Sequence, residues 1–485
     1  MKKVHIAVID DGIDRLYFPE IYKEVRYQED NKRSYISHAT FCAAIIKKHV
    51  KVPVEIINIC ILDEEGCGDI ANLQNALEWC YINNVDIINL SLGSTKLSDR
   101  YLLKKIVNDL AQKGVILVCA SDNIGKVTYP ACFTNAIGVK SIRDGSISDG
   151  QWNYLNYNID GIEIGAFSDH QLLLGGQIVK CKPGSNSYAA PLITASVANM
   201  YKRSYTVSYY KERLYSVSNE KFVTIFNRST RLDWIQKATL LIISEEISSL
   251  VIEKNHDIDL ELISTSNLDM AVARLRSINT KSAVILYSEK PINSSLHNQI
   301  TRLSYEKNLE IIYLDKLNYK LNDYWRINSK YWFPLTTKEV KKYSTASESN
   351  SPIICIECSD VLLLMELTDL LRHEFFLENY QVLLTANNPL LTIIDSFFIE
   401  FDMFITGLYT RYISLLEAKF KHDVVFVAVD TSIRIKNCDL YILIRNSYFE
   451  FKYELVSEFK RVEFTESDTS NIAKKIYHEI INIIS

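Results

Sequence analysis

Two hydrophobic periods alternate along residues 1–203. Short, nearly unbroken apolar runs at 4–9, 54–62, 85–91, 115–120, 136–142 and 162–167 read as strands buried on both faces. Between them, 39–48, 70–82 and 102–113 repeat apolar residues at helical spacing. In 70–82, Leu73, Ala76, Leu77 and Cys80 fall on one face. A further helix is expected at 189–201, with Pro191 in its first turn, where a missing N–H costs nothing. This alternation predicts an α/β domain over 1–203, a parallel sheet flanked by helices.

Residues 204–235 are tyrosine-rich and irregular, and a linker is expected there. A second α/β pattern occupies 236–342, with strands at 238–244, 282–287 and 309–314 and a helix at 296–307. The polar stretch 343–351 before Pro352 reads as another linker. A third block, 352–485, has strands at 353–357, 380–384, 424–429 and 440–444. It has helices at 361–376 and 471–484, and a long apolar-periodic stretch at 393–420. The expectation is one or two additional α/β, Rossmann-like domains, either distant duplicates or one larger unit. Residues 353–371 have the strand–turn–helix shape of a phosphate-binding loop but lack its glycines and its GK[ST]. A degenerate nucleotide-binding fold or a plain interaction domain is therefore expected over an ATPase.

Composition narrows the class. With 47% hydrophobic and 23% charged residues the chain is globular. A net charge of −5 without a basic excess argues against a nucleic-acid partner. No run of 18 apolar residues occurs, so no membrane partner is expected. The first strand starts almost at Met1, so neither a secretory signal nor a pro-segment is expected ahead of it. The ten cysteines include one CxxC pair, Cys355 and Cys358, but lack the density of a disulfide-stapled secreted scaffold, and they are expected to be reduced thiols of a cytoplasmic protein. No His/Cys cluster has zinc spacing, so neither a metal nor a cofactor is expected.

Four segments that end a strand or open a helix carry groups suited to acyl transfer: VIDDGID with Asp10, SHATFCAAII with His38, CASDN with Asn123 and SNSYAAP with Ser187. A serine needs a base to become a nucleophile, a histidine supplies one near neutral pH, and an aspartate holds its tautomer. The order Asp, His, Ser is that of subtilisin and differs from the chymotrypsin and α/β-hydrolase orders.

With INLSLGS at 88–94 these segments resemble, in order and in spacing, the motifs of the subtilase family of serine proteases. The resemblance covers residues 4–200. It implies a subtilisin-like fold and an endopeptidase acting on peptide or protein substrates, with Asp10, His38 and Ser187 as the triad. It further implies Asn123 as the oxyanion donor, and Ser91, Leu92 and Gly93 as the strand that pairs with an extended substrate. A calcium site is compatible with the family, without assignable ligands. Where the family has His-Gly-Thr-His-Val-Ala-Gly, alanines stand at 39 and 44. Where it has Gly-Thr-Ser-Met-Ala-Ala-Pro, Ser185 and Asn186 precede the serine. Asp122 replaces the glycine before the asparagine and would bring negative charge to the oxyanion. Asp11 and Cys42 are similar to the kexin-like branch, and Cys42 is expected to be a small packing residue. The expected lack of a pro-segment and the long C-terminal region lead to the expectation of a selective protease. It would act on a precursor peptide recruited by that region and remove the leader of a ribosomally made peptide. The alternative is a scaffold protein with a relict triad.

Overall fold

A computed structural model of the chain describes residues 3–28, 35–63, 65–155, 159–220, 228–244, 258–278, 283–288, 290–315, 317–318, 320, 330–343, 351–431, 435, 438–445, 448–453, 460–463 and 468–484. The chain divides into two compact units, Met1–Asn227 and Arg228–Ser485.

In the first unit, VHIAVID forms β1 (Val4–Asp10), buried from Ile6 onward. It is followed by β2 (Lys23–Arg26), α1 (His38–His49), β3 (Val54–Cys60), α2 (Ile70–Ile82) and β4 (Ile87–Leu90). Next come α3 (Leu97–Gln112), β5 (Ile116–Ala120), β6 (Ile137–Ser141), β7 (Trp152–Tyr154) and β8 (Ile164–Ala166). The unit closes with the hairpin β9 (Gln171–Leu174) and β10 (Gln177–Lys180), then α4 (Asn186–Asn199) and α5 (Val207–Ser216). The main sheet has the order β2-β3-β1-β4-β5-β6-β8-β7 and is parallel except for the edge strand β7. Parallel strands need covering on both faces, which is why β1, β4 and β5 read as continuous apolar runs. Thr40, Ala43 and Ile46 of α1 and Ala189, Ile193 and Val197 of α4 are buried beneath it.

Three expectations are corrected here. The helix expected at 102–113 begins at Leu97, because Arg100, Lys104 and Asn108 are buried and interrupt its apolar stripe. The helix expected at 189–201 begins at Asn186, which puts Pro191 in its interior rather than its first turn. The stretch 204–235 is no bare linker. Thr206 caps α5, and Val207, Tyr210 and Leu214 join the first unit's core, while Leu232, Trp234 and Ile235 belong to the second.

Among its described residues the second unit holds two large sheets and a short parallel pair, Arg228–Ser229 with Tyr331–Trp332. Lys237–Ile243, Asp259–Thr265, Ala283–Ser288 and Ile311–Tyr313 form a four-stranded parallel sheet. A seven-stranded sheet centres on Ile353–Glu357, flanked by Val424–Val429 and Leu440–Arg445, and ends in two antiparallel strands. One apolar cluster joins them, running from Leu240 and Ile285 to Ile356 and Phe426. The stretch 393–420 is broken into short pieces, with Gly407 at φ +70° separating Phe401–Ile405 from Leu408–Lys419. The linker expected at 343–351 falls mostly on 344–350, outside the described residues. In the phosphate-loop-like segment, Asp360 caps Val361–Leu377 and accepts from the N–H groups of Leu362 and Leu363 at 3.0 and 3.1 Å. The amides a phosphate would need are thus already engaged by a carboxylate.

Candidate active site

Neighbouring strands β1, β4 and β5 end on the same side of the sheet, and each hands over to a polar residue. Asp10 ends β1 and is buried, and its Oδ2 lies 2.9 Å from His38 Nδ1 at the first position of α1. Asp11 fixes that helix start. Its two carboxylate oxygens accept from the His38 and Ala39 backbone N–H groups at 3.0 and 2.8 Å, and Ser37 Oγ accepts from Thr40 N. Two of the four orphan donors of α1 are therefore met by the residue next to Asp10.

Burial works against a protonated His38, but the adjacent Asp10 carboxylate outweighs it, and His38 is held above the ordinary imidazole value. Cys42 lies beneath the ring, with its Sγ 3.9 Å from Nδ1. Burial pushes its thiol up, so it is uncharged at neutral pH and Asp10 is the effective partner. Tyr188 packs against the His38 ring with centroids 5.0 Å apart.

Ser187 occupies the first turn of α4, half-buried. Pro191 lacks the N–H that would bond the Ser187 carbonyl four residues back. The Ser91 hydroxyl fills that place, donating to Ser187 O at 2.9 Å, and Ser187 Oγ donates to Ser91 O at 3.3 Å. Asn89 Nδ2 donates to Ser91 Oγ at 3.1 Å, while Asn89 Oδ1 accepts from Thr194 Oγ1 at 2.9 Å. This buried polar chain clasps the end of β4 to the helix that carries Ser187.

Asn123, exposed, accepts the Asn186 N–H through Oδ1 at 2.9 Å. Because that N–H can only donate, the amide orientation is fixed and Nδ2 is left as the donor. Asn186 is spent on structure. Its Nδ2 donates to Ser121 Oγ and to the Asp122 carbonyl, and its Oδ1 accepts from Ser141 N. The Asp122 carboxylate turns into its own loop and accepts from the Ile124 and Lys126 N–H groups, both at 3.1 Å. Two backbone donors thus offset the charge that stands where the family has glycine.

At Gly93 a Cβ would lie 2.6 Å from Tyr129 O, so only glycine fits beside that backbone. Among the described residues no hydrogen bond engages the main chain of Leu92 or Gly93, while Ser94 next to them is bridged to Tyr129. The structure therefore brings Asp10, His38, Ser91, Asn123 and Ser187 together at the C-terminal ends of the central strands, with Leu92 and Gly93 beside them. Sequence reading passed over Asp11 as a helix cap and over Asn89. A lone polar residue inside the apolar run IINL was the available signal for the latter.

A profile of the subtilase family matches residues 1–237, and that part of the chain is a subtilase-family domain. The chain is 35% identical over 157 residues to the minor extracellular protease Epr of Bacillus subtilis, a match covering 30% of this chain and 24% of that protein. It is 30% identical over 153 residues to a thermostable alkaline protease of Halalkalibacterium halodurans, covering 28% of this chain and 41% of that one. The chain thus matches less than half the length of these relatives. A solved lanthipeptide protease is similar at a TM-score of 0.34 and 20% identity, over 43% of this chain and 78% of that one. No helix among the described residues is long and apolar enough to cross a membrane.

Proposed function

We propose that the chain is a serine endopeptidase acting on extended peptide segments. Ser187 Oγ attacks the scissile carbonyl carbon as His38 Nε2 takes its proton. The tetrahedral oxyanion is met by Asn123 Nδ2 and the Ser187 N–H. The intermediate collapses, His38 returns the proton to the departing amine, and water repeats the sequence to release the acyl group. Asp10 holds His38 with its Nδ1–H inward, so that Nε2 is free to act. The observation that carries this reading is the 2.9 Å Asp10–His38 pair beside Ser187. The unengaged main chain of Leu92 and Gly93 supports strand addition by the substrate.

The full chain should be labelled by a fluorophosphonate, and Ser187→Ala should abolish labelling. An unlabelled wild type would leave the alternative, a subtilase-fold scaffold, standing.

We further infer that residues 228–485 recruit a precursor peptide whose leader is then removed. Their separate core supports a non-catalytic task. Equal cleavage of such a peptide with and without its leader would exclude recruitment. A reducing, cytoplasmic setting is supported by ten cysteines that all stand as free thiols.

A further inference from the structure

Helix α1 begins at His38 and ends at His49, roughly 16 Å further along its axis at 1.5 Å per residue. At that far end His49 meets Asp149, in the turn after β6, and His170, immediately before β9. One donor atom from each residue lies within 4.8 Å of the other two. Asp149 Oδ1 is 2.8 Å from His170 Nδ1 and 3.2 Å from His49 Nε2. The second contact is not a hydrogen bond, and His49 Nε2 is buried without a hydrogen-bond partner. His170 is fully buried and its Nε2 likewise has no partner. The edge of His170 lies against Phe167, with ring centroids 5.3 Å apart, so the back of the cluster is apolar.

Two imidazoles and one carboxylate oxygen are thus gathered around a point that hydrogen bonding fills only in part. We propose that His49, Asp149 and His170 bind a divalent transition-metal ion, zinc first among them. Tetrahedral zinc at 2.0–2.2 Å from nitrogen and oxygen requires its donors about 3.3 Å apart, so shifts on the order of 1 Å suffice here. The nitrogen-rich set selects zinc, cobalt or nickel over calcium, which takes oxygen ligands. The other carboxylate oxygen, Asp149 Oδ2, is held at 2.5 Å by Lys48 Nζ, which also donates to the Gln171 carbonyl at 2.9 Å. Lys48 competes with a bound cation for this carboxylate, and its charge weakens the site. Solvent-facing Asp149 provides the entry path. The bound ion ties the C-terminal end of α1 to the segment that leads through the β9–β10 hairpin toward Ser187.

The test uses the full chain stripped of metal with a chelator and titrated with Zn²⁺, Co²⁺ or Ca²⁺. About one Zn²⁺ per chain is expected. Co²⁺ should give tetrahedral d–d absorption without a thiolate charge-transfer band, because the chain's cysteines lie outside the site. Zn²⁺ at about a hundredfold excess over its dissociation constant should raise the melting temperature by several degrees. Replacing a wholly buried imidazole risks misfolding, so His49→Ala and Asp149→Asn carry the loss test, with circular dichroism confirming their fold. Each should lose at least about tenfold in affinity together with the thermal shift. Lys48→Met should bind more tightly, a gain that adventitious surface binding would not show. The proposal is overturned if the wild type binds no Zn²⁺, if folded His49→Ala and Asp149→Asn bind as the wild type does, or if Ca²⁺ competes on equal terms.

Discussion

At the scale of single residues, the placement of Ser187, the nucleophile of the proposed mechanism, depends on a proline. Pro191 leaves the Ser187 carbonyl without its helical donor, and the Ser91 hydroxyl takes that role. Ser91→Ala should leave this carbonyl only the weak Cys42 thiol donor at 3.9 Å and cost about 1–3 kcal/mol in denaturant unfolding. It should also slow fluorophosphonate labelling by about 10- to 100-fold, since the serine shifts with its helix. Ser91→Thr keeps the hydroxyl and should restore both. Labelling that is unchanged in Ser91→Ala would remove the clasp from the account. His38 sets the pH response. A protonated imidazole cannot accept the Ser187 proton, so the rate must rise as pH climbs through the folded-state value of His38. Asp10 holds that value above the ordinary imidazole value of about 6.5, so on the proposed mechanism the acid limb of kcat/KM should lie above pH 6.5. In Asp10→Asn the main influence opposing burial is removed, and the limb should move to lower pH while the rate falls by about 10⁴-fold, the loss seen for a mis-set tautomer in the chymotrypsin-type triad. A wild-type limb at or below 6.5 would contradict this electrostatic account.

At the scale of elements, α1 is a lever whose start is set by Asp11. Its carboxylate caps the helix through the His38 and Ala39 amides while its neighbour Asp10 holds the His38 ring. Asp11→Ala should cost about 0.5–2 kcal/mol. It should lower the labelling rate more than an equally destabilising change remote from α1, which a comparison at matched stability would reveal. Much of this arrangement was legible in the sequence. Continuous apolar runs alternating with helical patterns read as central parallel strands, so their ends were expected to carry the polar residues that meet at the site. The bounds of α2 follow from its stripe of Leu73, Ala76, Leu77 and Cys80. What stayed hidden depended on partners distant in sequence. Arg100, Lys104 and Asn108 are polar yet buried, so periodicity could not show that α3 starts at Leu97. The purpose of Asn186 lies in Ser121, Asp122 and Ser141, which no local pattern joins to it. The threonine hydroxyl of the family motif is therefore not replaced by the Asn186 amide, which is already committed to these three residues.

At the scale of the whole molecule, the chain combines a subtilase-family unit with a second α/β unit that has its own core. Phe426 is fully buried at the centre of that core, in a strand buried along its whole length. Separate cores predict separate cooperative transitions, since unfolding is all-or-none within a core and not across a chain of this size. Phe426→Ala should remove about 3–5 kcal/mol from the second unit. In differential scanning calorimetry one transition should fall and the other should stay in place, while the rate of Ser187 labelling by a small fluorophosphonate remains that of the wild type. Cleavage of a leader-bearing peptide should decline near the temperature of the lowered transition, because on this reading the second unit supplies recruitment and the first supplies the chemistry. If both transitions fell together and labelling fell with them, the two units would be one cooperative body. The division of labour between recruitment and catalysis would then have to be abandoned.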